Sequence, residues 1–170
     1  ENRFDHVIVE SSGISEPLPV AETFTFEDEA TGTSLAKVAS LYNLVTVVDS
    51  PFLFESLASE DSLADRGWEA GDGDERVISQ LLCEQLEFAD VLVVNKSDLI
   101  GDDELDTVEK FVRQLNPGAE IIRTSRGRLE PSLLLDKARF NQQRAEAHSD
   151  WLAEAREHDH TPETLEYGIS

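Results

Sequence analysis

The fold is decided by the stretch Val91-Leu92-Val93-Val94-Asn95-Lys96-Ser97-Asp98, in which four apolar residues are followed at once by four polar ones. An apolar run without polar alternation is typical of a strand that is covered on both faces of a parallel sheet. The polar residues therefore predict a loop at the carboxyl end of a buried strand. Open α/β sheets bind their ligands at such strand ends, which makes this loop a candidate binding site.

Short apolar runs and helical stripes alternate along the rest of the chain. The further predicted strands are Val7–Val9, Leu44–Val48 and Ile121–Ile122. The predicted helices are Arg76–Phe88, a helix capped by Asp102 or Asp103 that runs to Leu115, and Leu129–Phe140. Strands that alternate with helices in this way predict a doubly wound, mainly parallel α/β sheet.

The Asn-Lys-x-Asp spacing of the loop matches the hydrogen-bonding edge of guanine. The Asp98 carboxylate can accept hydrogen bonds from the ring N–H and the exocyclic amine of guanine, a pair of donors that adenine does not present. Asn95 would face the other base edge, and the Lys96 methylenes would cover the ring face. We therefore predict a guanine site at these three residues; the alternative is an ordinary polar loop that closes a strand.

A second group of candidate residues follows the first predicted strand. Glu10 stands at the carboxyl end of this strand, and Gly13 comes three residues later. A carboxylate suits Mg²⁺, which prefers oxygen ligands and keeps much of its hydration. Gly13 lacks a side chain, so its backbone N–H can approach a terminal phosphate closely. Both are predicted phosphate and magnesium residues; the alternative is a strand that ends in a tight turn.

The charge of the chain restricts its partners. Its 170 residues carry 36 acidic and 14 basic side chains, a net charge of -22. This charge argues against nucleic acid or an anionic membrane and favours metal ions or basic protein surfaces. One cysteine and no membrane-length apolar stretch predict a cytoplasmic location, or an organelle interior in a eukaryote. Adaptation to a high-salt cytoplasm is an alternative explanation of the acidity.

Histidines near the end of the chain form its one metal-like cluster. His148, His158 and His160 lie in a polar, charged stretch, with Asp159 between the last two. Imidazole nitrogens and a carboxylate are ligands that suit zinc, so these histidines are the predicted zinc residues. The alternative is a solvated linker with scattered histidines. Cys83, inside a predicted helix, is interpreted as a core or helix-face residue.

Three segments resemble the CobW-type GTPases. They are residues 4–20, which contain Glu-x-x-Gly, residues 44–49, and residues 84–99, which contain the candidate guanine loop. Further features are similar to the zinc-responsive, YciC/ZigA-like branch of that family. These are the sequence SGISEPLPVAETF at residues 12–24, the insert at residues 52–75 and the segment at residues 161–170.

The resemblance also shows which family segments this sequence lacks. Nothing here fits the Gly-rich P-loop that ends in Gly-Lys-Ser/Thr, nor the Cys-x-Cys-Cys metal motif. We therefore expect an internal segment of a longer protein, with a P-loop GTPase-type sheet that is incomplete at its N-terminus. Residues 1–141 would be the central and C-terminal part of a GTPase domain, with an acidic insertion at 55–75. Residues 142–170 would be a charged linker leading to an absent C-terminal domain.

The function implied by the resemblance is a GTP-binding and GTP-hydrolysing metallochaperone for zinc that uses Mg²⁺ and serves a client metalloprotein. The segment alone is expected to be inactive, because the P-loop supplies most phosphate contacts in such sites. Two alternatives stay open. One is a related GTPase for nickel or cobalt/cobalamin enzyme maturation, and the other is a non-catalytic acidic metal-binding module.

Overall fold

The computed structural model describes residues 4–13, 15–24, 27–28, 33–37, 39–67 and 76–147. The chain divides into two compact units, and each is described by itself. The first unit comprises residues 1–17 and 42–140, and the second comprises residues 18–41 and 141–170. None of the helices within the described ranges is both long and apolar enough to cross a membrane.

Six α-helices, three short 3-10 helices and five strands are assigned in the described residues. In chain order the helices are α1 (Pro17–Thr23), α2 (Leu53–Leu57), α3 (Ile78–Phe88), α4 (Asp102–Leu115), α5 (Ser132–Leu135) and α6 (Gln142–Glu146). The strands are β1 (Glu27–Asp28), β2 (Thr33–Ser34), β3 (Val45–Asp49), β4 (Val91–Asn95) and β5 (Glu120–Arg123). The β1 and β2 strands pair antiparallel, whereas β3, β4 and β5 form a separate parallel sheet.

The parallel sheet lies in the first unit and has β4 at its centre. Its order is β3-β4-β5, so each strand pairs with the next one along the chain. The connection from β3 to β4 contains α2 and α3, and the connection from β4 to β5 contains α4. Parallel strands need such long crossovers, usually through a helix. The α/β fold class predicted from the sequence is confirmed, and its last three strands form where they were expected.

The main core lies between one face of this sheet and the helices. Leu92 and Val94 of β4 pack with Leu86 of α3 and with Val108 and Val112 of α4. All of these side chains are almost completely buried. The opposite face is buried at Val91 and Val93 but exposed at the neighbouring Val45 and Val47 of β3. The four apolar residues of β4 are therefore covered on both faces, as the lack of alternation predicted.

The helix α4 begins one or two residues earlier than the sequence predicted. Gly101, not Asp102 or Asp103, is the N-cap residue, and both aspartates lie in the first turn with Glu104. Their negative charges still stabilise the helix, because the N-terminus of a helix carries a partial positive charge.

The carboxyl end of α4 is fixed by the side chain of Asn116. Its amide nitrogen donates hydrogen bonds to the carbonyl oxygens of Leu86, Glu87 and Ala89, at 2.8, 2.9 and 2.8 Å. Its amide oxygen accepts a hydrogen bond from the backbone N–H of Ala119 at 3.1 Å. Asn116 is buried. One side chain thus joins the end of α3, the end of α4 and the start of β5.

The predicted strand Val7–Val9 is wrong. These residues belong to no strand, and their side chains are 77%, 78% and 65% exposed. A strand is stable only when its backbone groups pair with a neighbour. The described sheet has β3 at its edge, paired on one side with β4, and residues 7–9 do not pair with it. Glu10 consequently follows an exposed segment and not a sheet strand.

The predicted helix Leu129–Phe140 is mostly wrong, since α5 covers only four of its residues. The helix does not continue because backbone groups of this segment form hydrogen bonds with Tyr42 and Asn43. The side-chain amide of Asn43 donates to the carbonyl oxygens of Leu134 and Lys137. The backbone N–H groups of Arg139 and Phe140 donate to the carbonyl oxygen of Tyr42. Helical propensity is a weak preference that such contacts override.

Replacing Asn116 should lower the free energy of unfolding. Asn116→Ala would leave three buried or half-buried carbonyl groups without their amide donor, so we expect a loss of about 2–3 kcal/mol. Urea unfolding followed by circular dichroism measures this loss. Gln114→Ala, on an exposed position of the same helix, is the matched control and should change stability by less than about 0.5 kcal/mol. Equal unfolding midpoints for the two variants would contradict this role of Asn116.

Candidate functional site

Three loops meet at the carboxyl edge of the parallel sheet. The register pairs Asp49, the last residue of β3, with Asn95, the last residue of β4. It also pairs Val94 with Arg123, the last residue of β5. Because parallel strands in register end together, the chain segments that follow them lie side by side. The predicted guanine residues Asn95, Lys96 and Asp98 begin the central one of these three loops.

Asn95 joins the central loop to both of its neighbours. Its side-chain oxygen accepts a hydrogen bond from the backbone N–H of Gly127, at 3.0 Å, in the loop after β5. Its backbone carbonyl accepts a hydrogen bond from the Ser50 hydroxyl, at 2.6 Å, in the segment after β3. The next link is the N–H of Ser97, which donates to the carbonyl of Thr124 at 3.2 Å. Asn95 thus joins the loops that follow β3, β4 and β5.

Lys96 lies between a carboxylate and an aromatic ring. Its backbone has φ 59°, in the left-handed region that residues other than glycine seldom adopt. Its ammonium nitrogen donates a 2.5 Å hydrogen bond to Oδ2 of Asp49 and lies 6.0 Å from the centre of the Phe52 ring. The side chain is therefore directed back towards the end of β3.

Asp98 lies on the solvent-exposed part of this loop. It lies in the 3-10 turn Ser97–Leu99 directly after Lys96. Arg126 contributes the nearest cation, with its Nε atom 3.9 Å from Oδ2 of Asp98. Arg126 and Gly127 both have a positive φ, 55° and 65°, so the loop after β5 turns sharply beside Asp98. A carboxylate at this position can accept hydrogen bonds from a ligand that enters from solvent.

Glu10 and Gly13 lie in a different segment, which is held by helix α3. The side-chain amide of Gln85 donates to the carbonyl oxygens of Gly13 and Ser15, at 2.9 and 3.0 Å. Glu16 of the same segment accepts a hydrogen bond from Arg76 at 2.5 Å. A Cβ atom added at Gly13 would meet nothing within 4 Å, so packing in this structure does not require glycine there. The structure therefore leaves room at Gly13 for the close approach of a ligand.

The Glu10 carboxylate is an oxygen ligand of the kind that Mg²⁺ prefers. Its carboxylate is exposed, and magnesium in phosphate-binding sites takes only one or two carboxylates and keeps several waters. Glu10 would hold such an ion through one oxygen or through a water molecule. The assignment of Glu10 and Gly13 to the magnesium and phosphate side of the site stays a prediction.

The predicted zinc residues His148, His158 and His160 lie outside the described residues. Within the described ranges, no group of three or more histidine, cysteine, aspartate or glutamate side chains is placed to hold a metal ion. Cys83 is half-buried on α3. Burial, followed by the nearby carboxylates of Glu87 and Glu84, raises the pKa of the Cys83 thiol. A raised pKa favours the protonated thiol over the thiolate that binds metals, in agreement with its interpretation as a helix-face residue.

Several residues of this edge were missed by sequence reasoning. Ser50, Asp49 and Phe52 follow or end β3, and Gly127 lies after β5. The available signal was positional, since each stands just beyond a predicted strand, where the loops of a parallel sheet converge. Their partners in space could not be read from the sequence, because the contacts depend on side-chain direction at the strand ends.

Most of the chain matches one known protein family. A family model described as "CobW/HypB/UreG, nucleotide-binding domain" matches residues 1–123 of this chain. The chain belongs to the CobW/HypB/UreG family. The resemblance noted in the sequence is therefore confirmed, and the match includes both the Glu10 segment and the Asn95 loop.

Curated relatives lie within the same family. The chain is 42% identical to "Zinc-regulated GTPase metalloprotein activator 1" of Dictyostelium discoideum over 169 residues, which cover 99% of this chain and 35% of that protein. It is 30% identical to the protein of the same name in Schizosaccharomyces pombe, over 76% of this chain and 26% of that protein. "Zinc chaperone CobW" of a Sinorhizobium species is 30% identical, over 79% of this chain and 38% of that protein. The chain thus spans about a third of the length of these CobW-family relatives, and no solved structure matches it.

Proposed function

We propose that this chain supplies the guanine-binding part of a GTP-hydrolysing zinc metallochaperone. The observation that carries the proposal is the Asn95 loop, which stands at the carboxyl edge of the sheet and is tied to the loops on both sides. A base-specific site needs donors and acceptors that are held in place before the ligand arrives. The names of the relatives, which include the words GTPase and zinc, support the same proposal.

Each residue of the loop has a separate task in this proposal. Asp98 accepts the ring N–H and exocyclic amine of guanine, and its accessible carboxylate supports this task. Lys96 lays its methylenes across the base, and Asn95 keeps the loop closed. Because two charge-assisted hydrogen bonds converge on one carboxylate, adenine, which lacks this donor pair, is rejected.

The phosphate and metal side of the site is proposed at Glu10 and Gly13. Glu10 would bind the Mg²⁺ that accompanies GTP, and the Gly13 N–H would approach the terminal phosphate. The contact of Gln85 with the Gly13 carbonyl supports this role, because it links the segment to α3. A change at the terminal phosphate would then reach α3 through this hydrogen bond and alter the exposure of a metal site elsewhere in the protein.

The cargo of the proposed cycle is zinc, with His148, His158 and His160 as ligands and a client metalloprotein as the receiver. The large negative charge of the chain supports a cationic cargo. A cytoplasmic location, or an organelle interior in a eukaryote, completes the proposal. Nucleic acid and membrane surfaces have no part in it.

The base contact is tested by Asp98→Asn in the intact protein. This substitution keeps the shape but places an NH₂ group against the guanine amine, and an unmatched buried donor costs about 1–3 kcal/mol. We expect GTP affinity to fall at least about tenfold. Xanthine carries a carbonyl in place of the guanine amine, so xanthosine triphosphate should regain much of the lost affinity. Calorimetry with the two nucleotides measures the reversal of preference.

A matched control accompanies this experiment. Asp103→Asn removes the same charge from an exposed position in the first turn of α4 and should leave the preference for GTP unchanged. If Asp98→Asn keeps the wild-type preference for GTP over xanthosine triphosphate, residues 95–98 are not the guanine site.

The zinc ligands are tested by replacing His158 and His160 together with alanine. Loss of two ligands should weaken zinc binding of the intact protein at least about tenfold at pH 7.5. The difference should disappear below the histidine pKa of about 6.5, where protonated imidazole no longer binds metal. His6→Ala is the control, because His6 lies in the first unit with its ring against Tyr42. Unchanged zinc affinity in the double variant would make the stretch a solvated linker.

A further inference from the structure

The end of β3 carries an ion pair that strand pairing alone does not explain. Asp49 and Asn95 are already aligned by the register of β3 and β4. In addition to this backbone pairing, the Asp49 carboxylate accepts a hydrogen bond from the Lys96 ammonium group at 2.5 Å. The two side chains are 43% and 42% exposed, so the contact is neither buried nor freely solvated.

The second oxygen of the same carboxylate indicates that this geometry is specific. Oδ1 of Asp49 is buried and has no hydrogen-bond partner among the described residues. Burying a carboxylate oxygen without a partner is unfavourable, so the favourable contact of this group is the one that Oδ2 makes with Lys96. A carboxylate that served only the surface charge of this acidic chain would turn both oxygens to solvent.

The ion pair also restrains the conformation of Lys96. The Lys96 backbone is left-handed, a state that is unfavourable for residues with a Cβ atom. Its side chain has four rotatable bonds, and an unrestrained lysine loses much rotamer entropy when it is fixed. Asp49 at the ammonium and the Phe52 ring 6.0 Å from it fix this side chain before any ligand binds.

We infer that Asp49 is a positioning residue for guanine, acting through Lys96. Its carboxylate holds the ammonium at the end of β3, so that the lysine methylenes lie in one orientation against the base. Part of the entropic cost of ordering Lys96 is met in the free protein, which makes nucleotide binding tighter. This inference rests on the proposed guanine site and adds to it a residue that lies outside the Asn-Lys-x-Asp motif.

A double-mutant cycle on the intact protein tests the inference. The variants are Asp49→Asn, Lys96→Met and the double substitution, and calorimetry with GDP is the measurement. Asp49→Asn keeps the side-chain shape, and Lys96→Met keeps the methylenes while removing the ammonium. Each single variant should bind GDP about three- to fivefold more weakly, and the double variant should be no weaker than either.

Two controls make the outcomes distinct. Asp136→Asn removes the same charge from an exposed position after α5, and it should bind GDP as the wild type does. The unfolding midpoints of the variants, measured without nucleotide, show whether they fold. If Asp49→Asn does not fold, Lys96→Met tests the same contact from the lysine side. A role of Asp49 that does not depend on Lys96 would give losses that add in the double variant.

Failure of this inference differs from failure of the proposed function. If the wild-type protein binds GDP no better than ADP, the assignment of the guanine site is wrong, and the inference about Asp49 is then wrong as well. If the wild type selects GDP but Asp49→Asn or Lys96→Met binds it within twofold of the wild type, only the role of Asp49 is overturned. Additive losses in the double variant also overturn it.

Discussion

The in-register pairing of β4 with a parallel neighbour on each side is the constraint on which the rest of the structure depends. Its backbone hydrogen bonds hold the carboxyl ends of β3, β4 and β5 at one edge. The same pairing places the β4 side chains alternately on the two faces of the sheet, where all four valine and leucine residues are buried. Burial of these side chains stabilises the sheet by the hydrophobic effect, and the position of the polar loop follows from it.

Side-chain contacts then convert three neighbouring strand ends into one ordered surface. Ser50 and Gly127 both bond to Asn95, and Asp49 bonds to Lys96. These contacts hold two left-handed non-glycine residues, Lys96 and Arg126, whose conformation is unfavourable in isolation. Strained residues of this kind persist where surrounding structure determines them, and they are common at ligand sites. The Asp98 carboxylate is exposed at this edge, beside the guanidinium group of Arg126.

Sequence reasoning succeeded where one local signal and the tertiary structure agree. The apolar run 91–94 predicted a doubly covered strand, and the polar residues after it predicted the loop that the structure places at the sheet edge. It failed at Val7–Val9, because strand formation depends on a neighbour that an apolar run cannot specify. It failed again after α5, where Asn43 and Tyr42 take backbone groups that a helix would use. Sequence reasoning also could not predict the contacts of Asp49 and Gly127, because these contacts join residues at the ends of separate strands.

The central claim is that the loops after β3, β4 and β5 together form a guanine-nucleotide site. Hydrogen–deuterium exchange of the intact protein, with GDP or ADP and Mg²⁺, tests it most directly. The account predicts that GDP slows amide exchange in the peptides that contain residues 49–52, 95–99 and 124–128, whereas ADP at the same concentration does not. Equal protection by both nucleotides, or protection by GDP that spares residues 95–99, would contradict it.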